Sequence, residues 1–233
     1  LGGSPERRRD YLDDLIEQTT PGYGTIRRQY RRALAQRNSL LKQTHSATPS
    51  QVFPWDVRLS QLAGQIVRAR FFIVDEINFS ITKLLNKISD TKTVVTANYQ
   101  NRWPVESYES QMLKKLEASF ADDKLRGFTS VGPHREDLEV SFDGRPAQNT
   151  ASRGEARTAV LALKIIELKI IEAARAKTPL LLLDDVFSEL DGRRRHALTD
   201  YLAPYQTFIT TTDADLVIKN FTKAANIIAI QRN

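Results

Sequence analysis

The segment TPLLLLDDVFSELDGRRRH, residues 178–196, constrains the fold of this chain more than any other feature. Four leucines after a proline predict a short buried strand, and the acids that follow it would be costly to bury. A helix is predicted after the acids, as is typical of a central strand in a parallel α/β sheet. Ligands of open α/β sheets bind at the carboxyl ends of such strands. The segment therefore predicts an α/β fold with Asp184 and Asp185 at the ligand-binding edge.

The two adjacent acids suit nucleotide chemistry. A carboxylate at position 184 can hold Mg²⁺ through oxygen or water, and the acid at position 185 can orient a water for attack on phosphorus. The alternative is that both acids only cap the following turn. The chain has no cysteine and three histidines, so disulfides are excluded and a metal is expected to use oxygen ligands. The phosphate-binding motif GxxxxGK[ST] is absent, since none of the ten glycines is followed by lysine. Either no nucleotide binds here or its phosphate-binding half lies elsewhere.

The segment TASRGEARTAVLALK, which begins at residue 150, supplies a second motif. Ser152 stands just before Gly154 at the start of a long predicted helix, where a hydroxyl, backbone N–H groups and the helix dipole all favour an anion. Taken alone, an ordinary helix cap is the better interpretation. The Asp-Asp strand follows this helix, and Ser188-Glu189-Leu190-Asp191 follows the strand. Three motifs in this order are typical of an ABC-type ATPase.

Helical and strand patterns divide the rest of the chain. We predict domains over residues 1–20, 21–125 and 126–233, with a projecting antiparallel helical hairpin over 25–89 whose second helix has a nearly heptad apolar spacing. Short apolar runs and turn residues predict strands and a hairpin turn at Asp143-Gly144. The predicted helices are 4–18, 25–43, 55–89, 107–127, 154–176, 193–202 and one near Leu216. The predicted strands are 91–100, 180–183, 207–211 and 224–230, and 45–54 is predicted to be a loop.

The charge balance favours a polyanionic partner. The net charge is +6 and the isoelectric point about 9.5, although a basic surface with no such partner remains the alternative. No acid occurs between Ile26 and Lys42, and the best DNA-binding candidates are the arginines on that helix, Arg27, Arg28, Arg31 and Arg32. The arginine runs at 7–9 and 193–195 are predicted to be solvated surface. His134 is predicted to be structural, whereas Arg135 beside it could reach a phosphate or an acid.

Several stretches together resemble the RecF family, the bacterial DNA-repair relatives of the SMC-type ATPases. They are GSPERRRDYLD at 3 (counting from the second glycine) to 13, RRALAQRNSLLK at 31–42, WDVRL at 55–59, GFTSVGPHREDLEV at 127–140, ASRGEAR at 151–157, LLLLDDVFSELD at 180–191 and FITTTD at 208–213. The resemblance covers nearly the whole chain. It implies a partial ABC-type ATPase head, with a P-loop NTPase-like sheet that lacks its Walker A half and an inserted α-helical hairpin arm.

The resemblance also assigns roles to residues. It implies that Asp184 is the Walker B acid that holds Mg²⁺ through water, and that Asp185 polarises the attacking water. It places a signature loop, which meets the γ-phosphate bound by a twin subunit, at Ser152, Arg153, Gly154 and Glu155. Ser188 and Asp191 fall in the D-loop at the dimer interface. Thr212 occupies the position at which transporters carry a switch histidine, and a hydroxyl cannot replace an imidazole in sensing charge.

For the whole protein, the resemblance implies ATP and Mg²⁺ as cofactors, homodimerisation on ATP binding and DNA binding at single-strand to double-strand junctions. It implies RecO and RecR as partners in loading a recombinase, and a place in repair, recombination, replication and the SOS response. The first residue is not methionine, and we expect an upstream segment with the phosphate-binding loop, so that this chain alone neither hydrolyses nor tightly binds ATP. No signal peptide or membrane-spanning run is recognised, which favours the cytoplasm and no membrane partner.

Two other hypotheses remain open at the level of the sequence. The chain could be a DNA-binding helical module with no ATPase role, in which the affinity comes from residues 26–42. It could also be part of the head of another SMC-like ATPase or nuclease, although such heads carry a much longer coiled coil.

Overall fold

The computed structural model describes residues 3–42, 48–186 and 190–212, together with the single positions 226 and 228. These residues belong to two compact units. The first comprises Leu1–Thr82 and Val94–Ala151, and the second comprises Lys83–Thr93 and Ser152–Asn233. The predicted domain boundaries at 20/21 and 125/126 both fall inside the first unit.

The first unit combines helices with an antiparallel sheet. Its described helices are α1 (Pro5–Thr19), α2 (Tyr23–Lys42), α3 (Pro49–Ser89, whose last residues belong to the second unit), α4 (Tyr108–Ala118), α5 (Phe120–Arg126) and the single-turn α6 (Ala147–Thr150). Its strands are β1 (Val95–Gln100), β2 (Asp137–Phe142) and β3 (Arg145–Pro146). The predicted helix over 107–127 is thus two helices, α4 and α5, that meet at Ser119, and the second ends at Gly127 in the left-handed conformation (φ 71°) that glycine adopts easily.

The N-terminal helix forms for the reasons that its sequence gives. Ser4 caps α1 by accepting a hydrogen bond from the backbone N–H of Arg7 (3.4 Å), and Pro5 occupies the first turn, where its missing N–H costs nothing. Leu12, Leu15 and Ile16 are buried at helical spacing. The predicted helix and its cap are therefore confirmed.

The long helix α3 is part of the core of the first unit. Most positions of its predicted seam are buried, namely Leu59, Leu62, Ile66, Ile73 and Ile77 and, among the residues that belong to the second unit, Leu84 and Ile88, whereas Ala69 and Ser80 are only partly buried. Hydrogen bonds join it to α1 (Arg70 to Asp13) and to β1 (Asn78 to the backbone of Ala97). The apolar seam of α3 therefore faces several elements of this unit and not only one partner helix, and the projecting hairpin stays a prediction.

The start of α3 also differs from the prediction. Residues 49–54, predicted to lie in a loop, form the first turns of the helix. Pro49 suits a first helical position, and Gln51 accepts a hydrogen bond from the backbone N–H of Thr48 through its side chain (2.9 Å). Pro54 lies inside the helix, in its second turn, where it removes one backbone N–H donor. Residues 45–47 of the predicted loop lie outside the described residues.

The antiparallel sheet brings distant segments of the first unit together. β1 pairs with β2 from Val95 opposite Phe142 to Gln100 opposite Asp137, and alternate β1 residues are buried. β2 and β3 form the hairpin predicted at Asp143-Gly144, where φ is 47° and 76°. Two consecutive positive φ values match the two-residue hairpin turn that Asp-Gly favours. The predicted strand over 91–100 is confirmed for Val95–Gln100 only, and the predicted hairpin is confirmed.

A fully buried arginine ties four segments of the first unit to one another. No part of the Arg37 side chain is exposed. It donates from Nε to Asp56 of α3 (2.5 Å) and from Nη1 to Asp123 of α5 (2.7 Å) and to the hydroxyl of Thr129 (3.0 Å). Burial raises the pKa of Asp56, and the charge of Arg37 acts in the opposite direction. The interior of this unit therefore depends on charge pairing as well as on apolar packing.

The second unit alternates helices and parallel strands. It contains α7 (Arg153–Arg175), β4 (Leu181–Asp184), α8 (Gly192–Leu202) and β5 (Thr207–Thr210). β4 and β5 pair in parallel, from Leu181 opposite Thr207 to Asp184 opposite Thr210. The α/β prediction is confirmed by this arrangement. The prediction of a buried strand is wrong for the part of the chain that the structure describes, because Leu180 and Leu182 are 53% and 75% exposed. The helix predicted near Leu216 lies outside the described residues, as does nearly all of the strand predicted over 224–230.

Within the described ranges, no helix combines the length with the apolar character that crossing a bilayer demands.

Candidate functional site

The two predicted nucleotide-site acids stand at the carboxyl end of the parallel strand pair. Asp184 is the last residue of β4, and both Asp184 and Asp185 are exposed. The hydroxyl of Thr210 on β5 donates a hydrogen bond to the Asp184 carboxylate. The backbone N–H of Asp185 donates to the carbonyl oxygen of Thr210 (3.0 Å). The strand pair thus fixes the backbone of both acids, and both residues are exposed at this edge of the sheet.

Asp185 has an uncommon backbone conformation. Its φ is 46°, in the left-handed region, which costs most residues about 1–2 kcal/mol but suits Asp and Asn better than other side chains apart from glycine. Strained residues of this kind cluster at functional sites. An acid or its amide at position 185 is therefore favoured by the backbone as well as by the chemistry.

The donor set at this edge suits a hydrated Mg²⁺. Among the described residues, no group of three or more His, Asp and Glu side chains comes together as a dedicated metal cage. Mg²⁺ usually keeps several waters and takes only one or two protein carboxylates, with the remaining ligands from substrate phosphates. Asp184, exposed at the strand end, fits that sparse requirement.

The predicted signature loop, residues 152–155, is organised by a capping box at the start of α7. The Ser152 hydroxyl accepts from the backbone N–H of Glu155 (3.2 Å), and the Glu155 carboxylate accepts from the backbone N–H of Ser152 (2.8 Å). The hydroxyl proton of Ser152 can still be donated to an anion, because a hydroxyl both accepts and donates. Ser152 and Arg153 are exposed. The loop is therefore a structured helix start whose serine stays accessible.

The predicted D-loop acid caps the next helix. The Asp191 carboxylate accepts a hydrogen bond from the backbone N–H of Arg194 (3.0 Å) at the start of α8. This bond, together with the Arg194 charge, lowers the pKa of Asp191. Ser188 lies outside the described residues. Thr212 is exposed in a bend after β5, where its proposed switch role remains a prediction.

Arg194 joins the predicted signature loop, residues 152–155, to the predicted D-loop acid Asp191, and the sequence did not reveal this contact. Its guanidinium donates to the carbonyl oxygen of Gly154 (3.0 Å) and to the hydroxyl of Thr158 (2.7 Å), both on α7, and pairs with the Asp191 carboxylate. The run 193–195 was predicted to be solvated surface, which is wrong for Arg194. A signal was present, because a basic residue in the first turn of a helix is disfavoured by the helix dipole and needs a compensating contact.

The basic face predicted on α2 is partly neutralised. Four carboxylates of α1 pair with the Arg27 guanidinium, at 2.6 Å for Asp10, 3.2 Å for Asp13, 2.9 Å for Asp14 and 3.7 Å for Glu17. Only 13% of the Arg27 side chain is exposed. The prediction that no acid compensates this face is therefore wrong, because the acids come from the neighbouring helix. Arg27 therefore forms structural ion pairs, and its role as a DNA contact stays a prediction.

The other three arginines of that face lie at the surface. Arg28 donates to the hydroxyl of Thr25 (2.9 Å), and Arg32 is exposed. Arg31 is 64% exposed and lies 3.8 Å from the Asp10 carboxylate, a distance at which screening leaves little attraction. These three remain candidates for phosphate contacts.

The segment GPHRED, residues 132–137, is a structural centre of the first unit. His134 lies between the Tyr30 hydroxyl (Nδ1, 2.7 Å) and the Thr129 carbonyl oxygen (Nε2, 3.2 Å). A carbonyl oxygen can only accept, so Nε2 carries the proton and Nδ1 accepts from the tyrosine. Burial lowers the pKa of His134 to about 4. The prediction of a structural role agrees with this neutral ring, in which each nitrogen makes a hydrogen bond.

A second buried network surrounds the end of the same segment. The Glu136 carboxylate accepts from the hydroxyls of Tyr99 and Tyr108 (both 2.6 Å). Arg70 donates to the Tyr99 hydroxyl (2.7 Å) and, through Nε, to Asp13 (2.8 Å). Burial raises the pKa of Glu136, and the two hydroxyl donors act in the opposite direction. Arg135, by contrast, is exposed with its guanidinium 4.8 Å from the centre of the Phe128 ring, and its reach to a phosphate stays a prediction.

The partly buried His134 predicts a loss of stability in mild acid. Its pKa of about 4 lies below the usual value, so between those values the unfolded chain binds the extra proton. The free energy of unfolding should fall by up to about 3 kcal/mol as pH drops from about 6.5 to 4. Urea unfolding at a series of pH values should show a shallower dependence in His134→Gln than in the wild type. His196→Gln, a change at an exposed histidine, is the control, and an equal slope in His134→Gln and the wild type would contradict the assignment.

The sequence is similar to curated DNA-repair proteins, although no family model matches it. It is 36% identical over 228 residues to the "DNA replication and repair protein RecF" of Crocosphaera subtropica, in an alignment that covers 90% of this chain and 60% of the relative. It is 37% identical over 229 residues to the protein of the same name from Rippkaea orientalis, with the same coverage of 90% and 60%. The chain thus spans about 60% of the length of these relatives.

The fold is similar to a solved structure described as "Structure of the recombination mediator protein RecF-ATP in RecFOR pathway". The TM-score is 0.82 at 32% identity, over 91% of this chain and 59% of the other. A second structure, described with "RecF-ATPrS", gives a TM-score of 0.81 at 33% identity. The α/β fold class predicted from the sequence is confirmed by these similarities.

Proposed function

Since this chain belongs to the RecF family, we propose that it serves DNA replication, recombination and repair as part of an ATP-binding, DNA-binding protein. The observation that carries the proposal is the similarity over 90% of the chain to relatives named for DNA replication and repair, together with the fold similarity to a RecF-ATP structure. The edge formed by β4 and β5 supports the ATP part of the proposal, because its acids are exposed where nucleotides bind in α/β sheets.

The residues take the following proposed roles in nucleotide chemistry. Asp184 would hold Mg²⁺ through water, and the metal would neutralise charge on the phosphates of ATP. Asp185 accepts a proton from, and orients, the attacking water. The signature loop, with the exposed Ser152, donates hydrogen bonds to the γ-phosphate held by a twin subunit, and Asp191 lies across the dimer interface. ATP therefore acts as the link between two copies of the protein.

DNA binding is proposed to use the surface arginines of α2. Beside the ion-paired Arg27, the face presents Arg28, Arg31 and Arg32, whose charges are exposed or only weakly paired. Contacts of this kind neutralise backbone phosphates and carry no sequence information. We further propose that the complete protein favours junctions of single-stranded and double-stranded DNA, and that RecO and RecR cooperate with it in recombinase loading in the cytoplasm.

Neutralising two of these arginines tests the DNA-binding surface. In the complete protein, Arg28→Gln with Arg32→Gln should make the slope of log affinity against log salt shallower by up to about 2, because roughly one counterion is released for each phosphate contact. Binding of a labelled, gapped duplex can be followed by fluorescence anisotropy with ATP and Mg²⁺ across a range of salt concentrations. If the contacts are to the DNA backbone, the variant should lose affinity for a gapped duplex and for a blunt duplex to the same extent.

A matched control comes from another helix. Lys114→Gln with Lys115→Gln removes the same number of charges from exposed positions on α4 and should leave the salt slope unchanged. If the α2 variant keeps the wild-type slope, these arginines are not the DNA-binding surface. If DNA binding depends on the α2 pair but is indifferent to ATP, the chain acts as a helical DNA-binding module without an ATPase role.

A further inference from the structure

Arg194 makes an unusual set of contacts at the start of α8. Its Nε donates to the Thr158 hydroxyl at 2.7 Å, and Nη2 donates to the Gly154 carbonyl oxygen at 3.0 Å. Its Nη1 pairs with the Asp191 carboxylate, which also accepts from the Arg194 backbone N–H. One side chain therefore joins the first turn of α7 to the cap of α8.

The environment of Arg194 makes these bonds specific. Only 20% of the side chain is exposed, and Thr158 is fully buried, so solvent competes poorly for the donors. The Thr158 hydroxyl in turn donates to the Gly154 carbonyl oxygen (2.9 Å), which closes a small ring of hydrogen bonds. Charge-assisted hydrogen bonds of this kind are about twice as strong as neutral ones. The planar guanidinium can donate to three acceptors at once, which a lysine ammonium cannot do with the same geometry.

The local sequence on α7 leaves room for this contact. A Cβ atom at Gly154 would lie 3.2 Å from Nη2 of Arg194, closer than ordinary van der Waals contact. Glycine at this position therefore allows the guanidinium to approach the backbone. The partly buried Arg194 side chain contacts both the loop over 152–155 and the cap at Asp191, while Ser152 and Asp191 are exposed to solvent.

We infer that Arg194 is a positioning residue that locks the signature loop to the D-loop, so that both meet the nucleotide of a twin subunit as one rigid surface. The inference rests on the proposed function, since it concerns how that site is held. Arg194 acts through Ser152 and Asp191 and is not itself assigned a contact with nucleotide. Its loss should weaken the ATP-bound dimer while nucleotide binding to a single protomer is retained, because the phosphate and metal contacts of a protomer to its own nucleotide do not involve the signature loop.

The test separates dimerisation from nucleotide binding. In the complete protein, Arg194→Ala should weaken the ATP-dependent dimer about tenfold or more, as expected for the loss of hydrogen bonds to a charged group. Dimerisation can be measured by analytical ultracentrifugation with ATP and with ADP. The affinity of the dilute, monomeric protein for a fluorescent ATP analogue should stay within about twofold of the wild type, because Arg194 is not assigned a contact with the nucleotide of its own protomer. Arg194→Lys should fail to restore the dimer, because it cannot reproduce the three-way fork.

Two further variants guard against a general effect on folding. Thr158→Val removes one acceptor of Arg194 with little change in shape and should weaken the dimer in the same direction. Arg193→Ala changes the neighbouring residue, whose side chain lies at the surface 3.3 Å from Asp90, and should change neither measurement. Circular dichroism checks that every variant is folded.

The outcomes are distinct. If the wild type dimerises with ATP and both Arg194→Lys and Thr158→Val dimerise equally well, the positioning role is overturned while the proposed function stands. Equal loss of dimerisation and of nucleotide affinity would also overturn it, since Arg194 would then support the whole unit. If the wild type forms no dimer with ATP, both the proposed function of the loop and the role of Arg194 fail.

Discussion

Replacing Arg37 with methionine is expected to lower the free energy of unfolding by about 3–5 kcal/mol, because removing one partner of a buried ion pair leaves the other charge uncompensated. Arg37 has no exposed side-chain surface, and its two acidic partners, Asp56 and Asp123, are 4% and 0% exposed. Methionine retains the length and much of the volume of the side chain. The loss of unfolding free energy therefore comes from the two buried carboxylates that no longer have a cationic partner, and not from a cavity.

The pH dependence of this variant gives a second readout. Burial already raises the pKa of Asp56, and the Arg37 charge opposes that shift. Without Arg37 the pKa of Asp56 should rise further, so the folded variant binds a proton that the unfolded chain does not. Its stability relative to the wild type should therefore recover as pH falls, which is the opposite sign to the effect predicted for His134.

Urea unfolding followed by tryptophan fluorescence measures these changes in the first unit, which contains Trp55 and Trp103. The control is Arg58→Met, which removes an exposed arginine that bonds Gln29 across the same pair of helices and should cost less than about 0.5 kcal/mol. Adding Asp56→Asn and Asp123→Asn to Arg37→Met should recover part of the loss. A cost below about 1 kcal/mol for Arg37→Met at neutral pH would show that the buried pairs are not needed.

The position of Arg37 shows why the sequence predicts elements better than it predicts their packing. Tyr30, Ala33 and Leu41 mark the apolar face of α2, and Arg37 occupies the same face at helical spacing. Periodicity identified the helix because most of the face is apolar. It could not identify the partners of the charged residue, since these come from α3 and α5, which are distant along the chain. Arg70 on α3, between the buried Ile66 and Ile73, follows the same pattern.

A similar limit applies to the surface charges and the candidate site. The α2 sequence has no acid to compensate Arg27, but α1 supplies four, and only tertiary structure brings them together. The motifs at Ser152, Asp184 and Asp191 were recognisable because each combines a local element with an unusual residue at its end. The contact of Arg194 with Gly154 was not, because it depends on how two helix starts approach each other.

The second large effect is expected at Asp185. In the complete protein, Asp185→Asn should slow ATP hydrolysis by about 100-fold or more, the usual contribution of a general base, while ATP binding persists. An amide cannot accept the proton of the attacking water, but it occupies the same space. Asparagine also tolerates the left-handed backbone at this position (φ 46°) as well as aspartate does, so the local structure should be kept. Because ATP links the two copies in the proposed function, slower hydrolysis should also make the ATP-bound dimer live longer.

The neighbouring acid provides a contrast. Asp184→Asn should weaken ATP binding in the presence of Mg²⁺, because the carboxylate charge is lost, whereas the Thr210 hydroxyl can still donate to the amide oxygen. Asp200→Asn, at an exposed acid on α8, serves as the control and should leave turnover and binding unchanged. Phosphate release under single-turnover conditions measures hydrolysis, and the decay of the dimer after dilution measures its lifetime. Unchanged hydrolysis in Asp185→Asn would refute its role as the base. If the variant loses ATP binding instead of turnover, Asp185 either binds the metal or maintains the backbone conformation at the strand edge.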